Sequence, residues 1–534
     1  MITDSICAFM PSPWRRLFCS FFFIGAAIAA WGTIDSLGAN RTQDGALSEA
    51  AATKKIAAWV VEHTVNGQKA EFMVVLVDQA DLRLTAALST KTEKGRFVYD
   101  TLRNKSQTTQ GPIQQWLREH GIEYRSFYIV NAILVKGSRA IAEELAARPE
   151  VARVEGNPHI QNSLPQPASV ELYRDVQRPE TIEPGINYTH APDVWAMGFT
   201  GQGMVVGSAD SGVRWTHNAL RAHYRGWDGQ NVDHDYNWHD AIHDSSGNPC
   251  GNDSPVPCDD DGHGTHTTGT TVGDDGAGNQ IGMAPGAKWI ACRNEAEGIG
   301  APARYIECME FFLAPYPVHG TPNDGDPSKA PYLTNNSWGC IPQDGCSPST
   351  LQAAVDAQVA AGIMMVVAAG NDGPNCSTVV YPPCIYEAAY TVGALFTGAD
   401  TIAPFSSRGP VIIDQSNRMK PNITAPGTQT RSSVNTSDDA YGTRTGTSMA
   451  TPHVAGAVAL LWSARAELQN DISSTRSVLD RAAVHILDGV CDGGPPVTPN
   501  NTFGKGRLDI LAAVKARAIP TPRPRPIPAP RPSP

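Results

Sequence analysis

A serine segment most restricts what this chain can fold into, because it places a hydroxyl at the start of an apolar helical run. Ser448 lies in the sequence Gly-Thr-Ser-Met-Ala-Thr-Pro-His, and the apolar residues 454–462 follow directly. The first N–H groups of a helix have no partner within it, and they favour negative charge. That setting suits a serine whose attack on a carbonyl leaves negative charge on the carbonyl oxygen. An ordinary helix-capping serine is the alternative.

Strand-like and helix-like segments alternate along the second half of the chain. The predicted strands are residues 204–209, 288–292, 332–336 and 363–368. Residues 350–361 have the spacing of an amphipathic helix, and residues 454–462 are predicted to be a central, buried helix. This alternation predicts an α/β fold in which crossover helices join parallel strands. We place this large domain at residues 186–516.

Two groups that precede Ser448 complete the requirements of acyl transfer. Asp210 ends the first predicted strand of the large domain, and catalytic groups gather at such strand ends. His263 lies in the turn Asp-Gly-His-Gly-Thr-His. We assign Ser448 as the nucleophile, His263 as its base and Asp210 as the group that orients the imidazole. The non-catalytic alternatives are that Asp210 is a turn residue, that His263 is a loop residue or a metal ligand, and that Ser448 is a helix cap.

These three segments, in the order Asp, His, Ser, resemble the motifs of the subtilisin-like serine proteases (subtilases). The resemblance runs from about residue 201 to residue 514, and Asn-Asn-Ser-Trp-Gly at residues 335–339 resembles bacillopeptidase F-like members. It implies a subtilisin-like three-layer domain with a parallel central sheet. It also implies a serine endopeptidase that cuts protein or peptide substrates through an acyl-enzyme and requires no cofactor for the chemistry.

The resemblance extends to residues around the nucleophile. Asn371, in Ala-Ala-Gly-Asn, would donate its side-chain amide to the oxyanion, and a turn-forming asparagine is the alternative. The residues implied to bind substrate are Ser337, Trp338, Gly339, Ala369, Gly370 and Val380. Trp338 is equally well interpreted as a core aromatic. Many members have glycine in place of Val380, so we expect a shortened pocket that accepts Phe and Tyr poorly.

Residues 70–156 are predicted to form a small α+β domain. Strand, helix, strand, strand, helix and strand follow in that order, which is the split βαβ, ferredoxin-like arrangement. The predicted helices are residues 100–119 and 139–148. By the resemblance this unit is a pro-domain that assists folding, inhibits the enzyme and is later removed. Residues 31–69 and 157–185 are interpreted as linkers, and the second would contain the maturation site.

The first residues have the features of an export signal. Arg15 and Arg16 precede an apolar run that includes Ala-Ile-Ala, so residues 1–30 are predicted to be a signal peptide, with an uncleaved anchor as the alternative. No later stretch is long and apolar enough to cross a bilayer. We expect a secreted monomer with no membrane span after signal removal. The net charge of −11 argues against a nucleic-acid partner.

Cysteine usage fits an oxidising compartment, because most cysteines form close pairs along the chain. Local pairing would give Cys250–Cys258, Cys292–Cys308, Cys340–Cys346 and Cys376–Cys384, although the sequence alone does not fix the connectivity. Cys491 is then left without a partner. Zinc is disfavoured, because the repeated C-x-x-C of structural zinc sites is absent.

A polar insertion at residues 218–260 separates the aspartate and histidine motifs. Subtilases often bind calcium in such loops, and carboxylate oxygens suit that ion; a solvated loop closed by Cys250 and Cys258 is the alternative. At the other end of the large domain, residues 517–534 form a proline-rich tail.

Other functional classes fit less well. A serine lipase would carry G-x-S-x-G with its acid and base after the serine, whereas here both precede Ser448. A zinc hydrolase would need H-E-x-x-H, which His263 and His266 do not supply. A non-enzymatic binding module would be expected to have lost a triad residue, and all three are present.

Overall fold

The computed structural model describes residues 54–162 and 182–516. The predicted signal peptide, the proline-rich tail and most of both predicted linkers lie outside these residues. The first range contains helices α1 (Ala58–His63), α2 (Lys91–Thr109), α3 (Gly111–Glu119) and α4 (Arg139–Ala146), and strands β1 (Ala70–Leu76), β2 (Tyr124–Phe127), β3 (Ala132–Gly137), β4 (Val151–Gly156) and β5 (Ile160–Gln161).

Residues 54–156, which we call the small domain, form a four-stranded antiparallel sheet in the order β2-β3-β1-β4. The elements follow in the predicted order, except that two helices, α2 and α3, replace the single one predicted at residues 100–119. Helix α2 begins nine residues earlier, where Thr90 and Glu93 form a capping box. Pro112 in the first turn of α3 starts the second helix, as proline commonly does at that position.

The small domain begins before residue 70, so the interpretation of residues 31–69 as a linker is wrong for their last part. Val60 on α1 and Ile56 just before it are buried in the core of the small domain. Ile56 also bridges to Val154 of β4. Ala57, Trp59 and Val61 also pack against this core, so the short apolar run at residues 56–61 belongs to the small domain, although the residues around it are polar.

The second range forms the large domain. Its helices are α5 (Pro184–Tyr188), α6 (Ala191–Trp195), α7 (Asn218–Arg221), α8 (His263–Val272), α9 (Pro302–Leu313), α10 (Gln352–Ala360), α11 (Thr447–Ala464), α12 (Ile472–Ala482) and α13 (Ile510–Lys515). Its strands are β6 (Val205–Asp210), β7 (Trp238–Asp240), β8 (Lys288–Arg293), β9 (Glu295–Ala296), β10 (Ile299–Gly300), β11 (Leu333–Asn336), β12 (Met364–Ala368), β13 (Tyr390–Leu395), β14 (Ile423–Pro426), β15 (Thr430–Ser433) and β16 (Tyr441–Arg444). In the two described ranges no helix has both the length and the apolar character needed to cross a membrane.

Seven parallel strands in the order β14-β13-β12-β11-β6-β8-β7 form the central sheet, which confirms the predicted α/β class. Strand β12 shows how both faces are covered. Met364 and Val366 pack in the core on the side of helix α11, whereas Met365 and Val367 pack on the side of helices α9 and α10. Successive strand residues point to opposite faces, so a sheet with helices on both faces needs such an unbroken apolar run.

The small domain packs on the outer surface of the α9–α10 layer. Met73 and Val75 of β1 lie in the same core cluster as Met309 of α9 and Ala354 of α10. Their neighbours Phe72 and Val74 point to the opposite face of the small sheet, against its own helices. The small domain thus buries both faces of its sheet, one of them against the large domain.

Four disulfides are formed within the described residues, and one of the expected local pairings is wrong. The bonds Cys250–Cys258, Cys292–Cys308 and Cys340–Cys346 are as expected. Cys376, however, bonds to Cys491 across 115 residues of sequence. Cys384 is the unpaired cysteine in the described residues, and it is withdrawn into the core, where its thiol donates to the Ala369 carbonyl.

Candidate active site

The carboxyl end of β6 presents Asp210 to the histidine that begins α8. His263 Nδ1 lies 2.7 Å from Asp210 Oδ1. Both side chains are buried, with 2% of the His263 side chain and 1% of the Asp210 side chain exposed. Asp210 also accepts hydrogen bonds from the Ser211 N–H and from Thr267 Oγ1, one turn along α8 from His263. These bonds fix the carboxylate so that it holds the imidazole in one orientation.

Asp259 organises this corner, although the sequence analysis did not single it out. Its carboxylate accepts from Ser211 Oγ, from the Gly262 N–H and from both the N–H and Oγ1 of Thr265. Burial raises the pKa of Asp259 to about 6, against the lowering effect of these hydrogen bonds. Asp259 lies four residues before the start of α8, outside the N-cap position that Gly262 holds, so helix-capping patterns do not identify it. Gly262 adopts a left-handed φ of 88° immediately before His263.

Ser448 is the second residue of α11, as its position before the apolar run predicted. Its hydroxyl donates to the Ser337 carbonyl at 3.1 Å rather than to His263. His263 Nε2 is buried and has no hydrogen-bond partner among the described residues. The structure therefore joins Asp210 to His263 and leaves the third link of the triad unmade, as is common in enzymes without bound substrate.

Helices α8 and α11 pack side by side with their N-termini at the same end. The helices touch at Gly456 of α11 and Thr271 of α8, where a Cβ added to the glycine would lie 2.9 Å from the Thr271 carbonyl oxygen. Gly456 is eight residues after Ser448, and Thr271 is eight residues after His263. Both helices begin at the carboxyl edge of the sheet, because His263 contacts Asp210 at the end of β6 and Ser448 contacts Ser337 just after β11. His263 and Ser448 thus open neighbouring helices at the edge where Asp210 ends β6.

A cavity of about 260 Å³ lies beside Ser448. Of the predicted substrate-binding residues, Ser337, Trp338, Gly339 and Gly370 line it, and so does Asn371. Ala369 does not line the cavity. Its N–H donates to the Val392 carbonyl and its own carbonyl accepts from the Cys384 thiol, both in the core.

Val380 does not line this cavity either, so the structure does not support the predicted shortening of the pocket by its side chain. The next residue, Tyr381, lines the cavity instead. Its side chain lies against Gly339 and Gly370, because a Cβ added at those glycines would meet Tyr381 atoms at 3.0 and 3.5 Å. The segment that the resemblance implied thus lies beside the cavity, and packing decides which of its side chains faces it.

Trp338 fits both interpretations that the sequence left open. It is 4% exposed and stacks on Tyr305, with ring centroids 4.0 Å apart and an interplanar angle of 5°. It also lines the cavity. A buried aromatic that forms a cavity wall is both a core residue and a part of the site.

Asn371 is oriented by the start of α11. Its Oδ1 accepts from the Thr447 N–H at 2.9 Å and from Thr447 Oγ1 at 3.0 Å. Its amide nitrogen donates to no other group in the described parts of the chain. The side-chain amide is thus held by its oxygen, with its N–H groups available beside Ser448.

Residues 160–162, which we call the cleft segment, occupy the edge of the site. β5 pairs antiparallel with β10, Gln161 opposite Ile299 and Ile160 opposite Gly300. Asn162 donates its N–H to the Gly298 carbonyl and lines the same cavity as Ser448. The interpretation of residues 157–185 as a linker is therefore wrong at its start, where β5 is part of a sheet. This strand escaped prediction because its partner, β10, lies far away in sequence.

The polar insertion at residues 218–260 does not bring its carboxylates together. Asp240 pairs with Arg293 and Asp244 with Arg304, while Asp235 accepts from the Val318 N–H. Among residues 54–162 and 182–516 no group of three or more His, Cys, Asp or Glu side chains could hold a metal ion. Structural calcium therefore stays a prediction. The insertion also supplies β7, the edge strand of the sheet, with a buried Trp238.

Comparison with known proteins places the chain near several bacterial serine proteases. Residues 201–506 match the model of the subtilase family (Peptidase S8). The chain is 34% identical to bacillopeptidase F of Bacillus subtilis over 82% of its own length, and it spans about 30% of that longer protein. It is 30% identical to the serine protease AprX of B. subtilis, covering 66% of this chain and 79% of AprX. It is 27% identical to subtilisin J of Geobacillus stearothermophilus, covering 82% and 94%.

Proposed function

Because the chain belongs to the subtilase family, we propose that it is a secreted serine endopeptidase made as a self-processing precursor. The observation that carries the proposal is the buried Asp210–His263 pair beside the helix that begins with Ser448. Secretion is supported by the predicted signal peptide and by the four disulfides.

In the proposed mechanism the Ser448 hydroxyl attacks the peptide carbonyl while His263 Nε2 takes its proton. Asp210 keeps the other imidazole nitrogen protonated and stabilises the imidazolium that forms. The carbonyl oxygen becomes an oxyanion that accepts from the Asn371 amide and from the Ser448 N–H at the start of α11. His263 then returns the proton to the leaving amine, and water releases the acyl group by the same steps.

Replacing Asn371 with alanine should lower kcat by about 10²–10³-fold and leave KM nearly unchanged, because this donor acts only once the oxyanion forms. That magnitude was measured on the corresponding donor of a subtilisin, a relative of this chain, and we adopt it from there. Steady-state hydrolysis of a peptide substrate measures the effect. Asn375→Ala, an exposed asparagine of the same loop, is the matched control. A large rise in KM with kcat unchanged would contradict the role.

The precursor part of the proposal rests on the cleft segment. It adds a strand to β10 as an extended peptide substrate would, and Asn162 reaches the cavity of Ser448. We place the first cut shortly after Asn162, within residues 163–181. The small domain is then the inhibitor that stays bound to the large domain after the cut.

Two measurements on the purified protein test this function. A serine-directed phosphonylating reagent should abolish peptidase activity and modify Ser448, whereas a zinc chelator should not. N-terminal sequencing of the processed large domain should give a start within residues 164–182. Chelator-sensitive activity without modification of Ser448 would reject the proposal.

The contact between the two domains should depend on pH through Glu310. Its Oε2 accepts from the Tyr128 N–H at 2.7 Å and from the Ile129 N–H at 3.1 Å, both in the small domain. Burial raises the pKa of Glu310 to about 8, although these bonds oppose the rise. Without the small domain, this side chain should have an ordinary pKa of about 4.3. Binding thus takes up a proton, and its stabilisation is present at low pH and lost as the pH rises through about 8.

We expect the affinity of the processed small domain to fall by up to about tenfold per pH unit as the pH approaches 8. Size-exclusion chromatography of the processed protein between pH 5 and pH 9 measures the bound fraction. Glu310→Gln keeps an oxygen that accepts both N–H groups but cannot ionise, so it should flatten the profile over this range. Glu307 and His243 form an ion pair nearby. They are present in the wild type and in Glu310→Gln alike, so their titration does not contribute to the difference between the two pH profiles. Equal profiles would contradict the assignment.

A further inference from the structure

Glu295 is a buried carboxylate in the wall of the cleft that the proposed mechanism does not use. It lies on β9, which pairs with the same strand, β10, that receives the cleft segment. Its side chain is about fully buried, with the whole residue 1% exposed. Within the described ranges, the side-chain hydrogen bond of this carboxylate comes from Asn162 Nδ2.

Asn162 is bound through every polar atom of its side chain. Its Oδ1 accepts from the Gly339 N–H at 3.1 Å, and its Nδ2 donates to Tyr305 Oη at 2.9 Å as well as to Glu295. Its own N–H donates to the Gly298 carbonyl at 3.0 Å. The groups that surround this side chain belong to both edges of the cleft, so they form a subsite rather than a chance contact.

The surroundings of Glu295 are acidic. Burial, together with the charges of Asp210 and Asp261, raises the pKa of Glu295 well above its ordinary value, so the ionised carboxylate needs a cation or a donor beside it. The nearby cations are already engaged, because Arg293 pairs with Asp240 and Asp260, and Arg444 pairs with Asp261. A cationic or N–H-bearing substrate side chain would be stabilised here, whereas an aliphatic one would leave the buried carboxylate without a partner.

We propose that Glu295 is a specificity-determining residue that, with Tyr305, selects substrates carrying an amide or basic side chain at the position that Asn162 occupies. The inference rests on the proposed endopeptidase function and adds a substrate class to it. Peptides with Asn or Lys at this position are good substrates, and peptides with Leu or Asp are poor ones. A site built to bond a polar group discriminates strongly against analogues that lack the group.

The first test uses the processed wild-type enzyme and four synthetic peptides. Each has the chain's own sequence from residue 156 to residue 175, with Asn, Lys, Leu or Asp at position 162. We expect kcat/KM for the Leu and Asp peptides to be about 10-fold to 100-fold lower than for the Asn peptide. Mass spectrometry verifies that the same bond is cut in each. Equal cleavage of the Asn and Leu peptides would overturn the inference.

The second test separates a specificity role from a structural one. Glu295→Gln keeps an oxygen that accepts from an amide but cannot ionise to pair with a bound ammonium, so the Lys peptide should lose about tenfold more kcat/KM than the Asn peptide. Glu297→Gln, which removes an exposed carboxylate two residues away, should leave the ratio unchanged. A merely structural Glu295 would lower cleavage of all four peptides by one factor, and that result would overturn the inference.

The outcomes distinguish failure of this inference from failure of the proposed function. If no peptide is cleaved in a Ser448-dependent manner, the endopeptidase function is rejected, and the subsite with it. If all four are cleaved alike, the endopeptidase function stands and only the subsite is rejected. If Glu295→Gln yields no folded protein, the ranking of the four peptides by the wild-type enzyme still decides.

Discussion

Ser448→Ala should abolish peptide hydrolysis, lowering kcat by about 10⁶-fold. The alanine variant lacks the oxygen that forms the acyl-enzyme, while the methyl group still fits in the first turn of α11. The magnitude is that found for the nucleophile of a subtilisin, and we adopt it for this relative. Residual hydrolysis above the uncatalysed rate should come from substrate binding and the oxyanion donors alone.

The same variant tests self-processing. Wild-type protein should yield a separate large domain, and Ser448→Ala should remain a single uncut chain on a denaturing gel. Ser473→Ala, an exposed serine on α12, is the matched control and should process like the wild type. Adding a trace of active enzyme to the alanine variant reveals whether the bond can still be cut in trans. An alanine variant that processes itself at the wild-type rate would contradict the nucleophile assignment.

Asp210→Asn should lower kcat by about 10⁴-fold with little change in KM, as the analogous change does in another serine protease. An amide at this position can donate its N–H to His263 Nδ1, which would move the imidazole proton to Nε2. That nitrogen could then no longer accept the proton of Ser448. The loss should shrink at high pH, where other bases can serve.

Stopped assays of peptide hydrolysis between pH 6 and pH 10 measure the loss of kcat in Asp210→Asn. The melting temperature of the variant is the control for folding. The Ser211 N–H and Thr267 Oγ1 bond to different oxygens of Asp210, so the amide of the variant keeps an oxygen acceptor for only one of them, and the melting temperature measures the cost of the lost bond. Asp193→Asn, an exposed aspartate on α6, should behave as the wild type. A loss below about tenfold would show that Asp210 does not orient the base.

Local patterns in the sequence sufficed for the parallel sheet and for the positions of Asp210, His263 and Ser448. Apolar runs identify buried strands, and small residues around a reactive side chain identify the turns that present it. Both signals are contained within a few residues. The start of α2 is also marked locally, by the capping box of Thr90 and Glu93.

What escaped prediction depends on residues that are far apart in sequence. The pairing of β5 with β10 leaves no trace in the polar segment that contains Ile160, because its partner strand lies in the large domain. Whether Val380 or Tyr381 faces the cavity is decided by contacts with Gly339 and Gly370. Asp259 serves the site through a hydrogen bond from Ser211, 48 residues away in sequence, as well as through bonds from the adjacent start of α8, and the residues around Asp259 do not reveal the distant partner.

The bond between Cys376 and Cys491 constrains the order in which this protein can mature. Cys376 stands five residues after Asn371, so the loop behind the oxyanion donor reaches its final covalent form only after residue 491 has been synthesised. Until then its closest thiol along the chain is Cys384, and short loops close fastest. Direct formation of the native bond therefore requires that Cys384 be withdrawn into the core before an oxidant reaches it, and otherwise a Cys376–Cys384 bond must be exchanged for the native one.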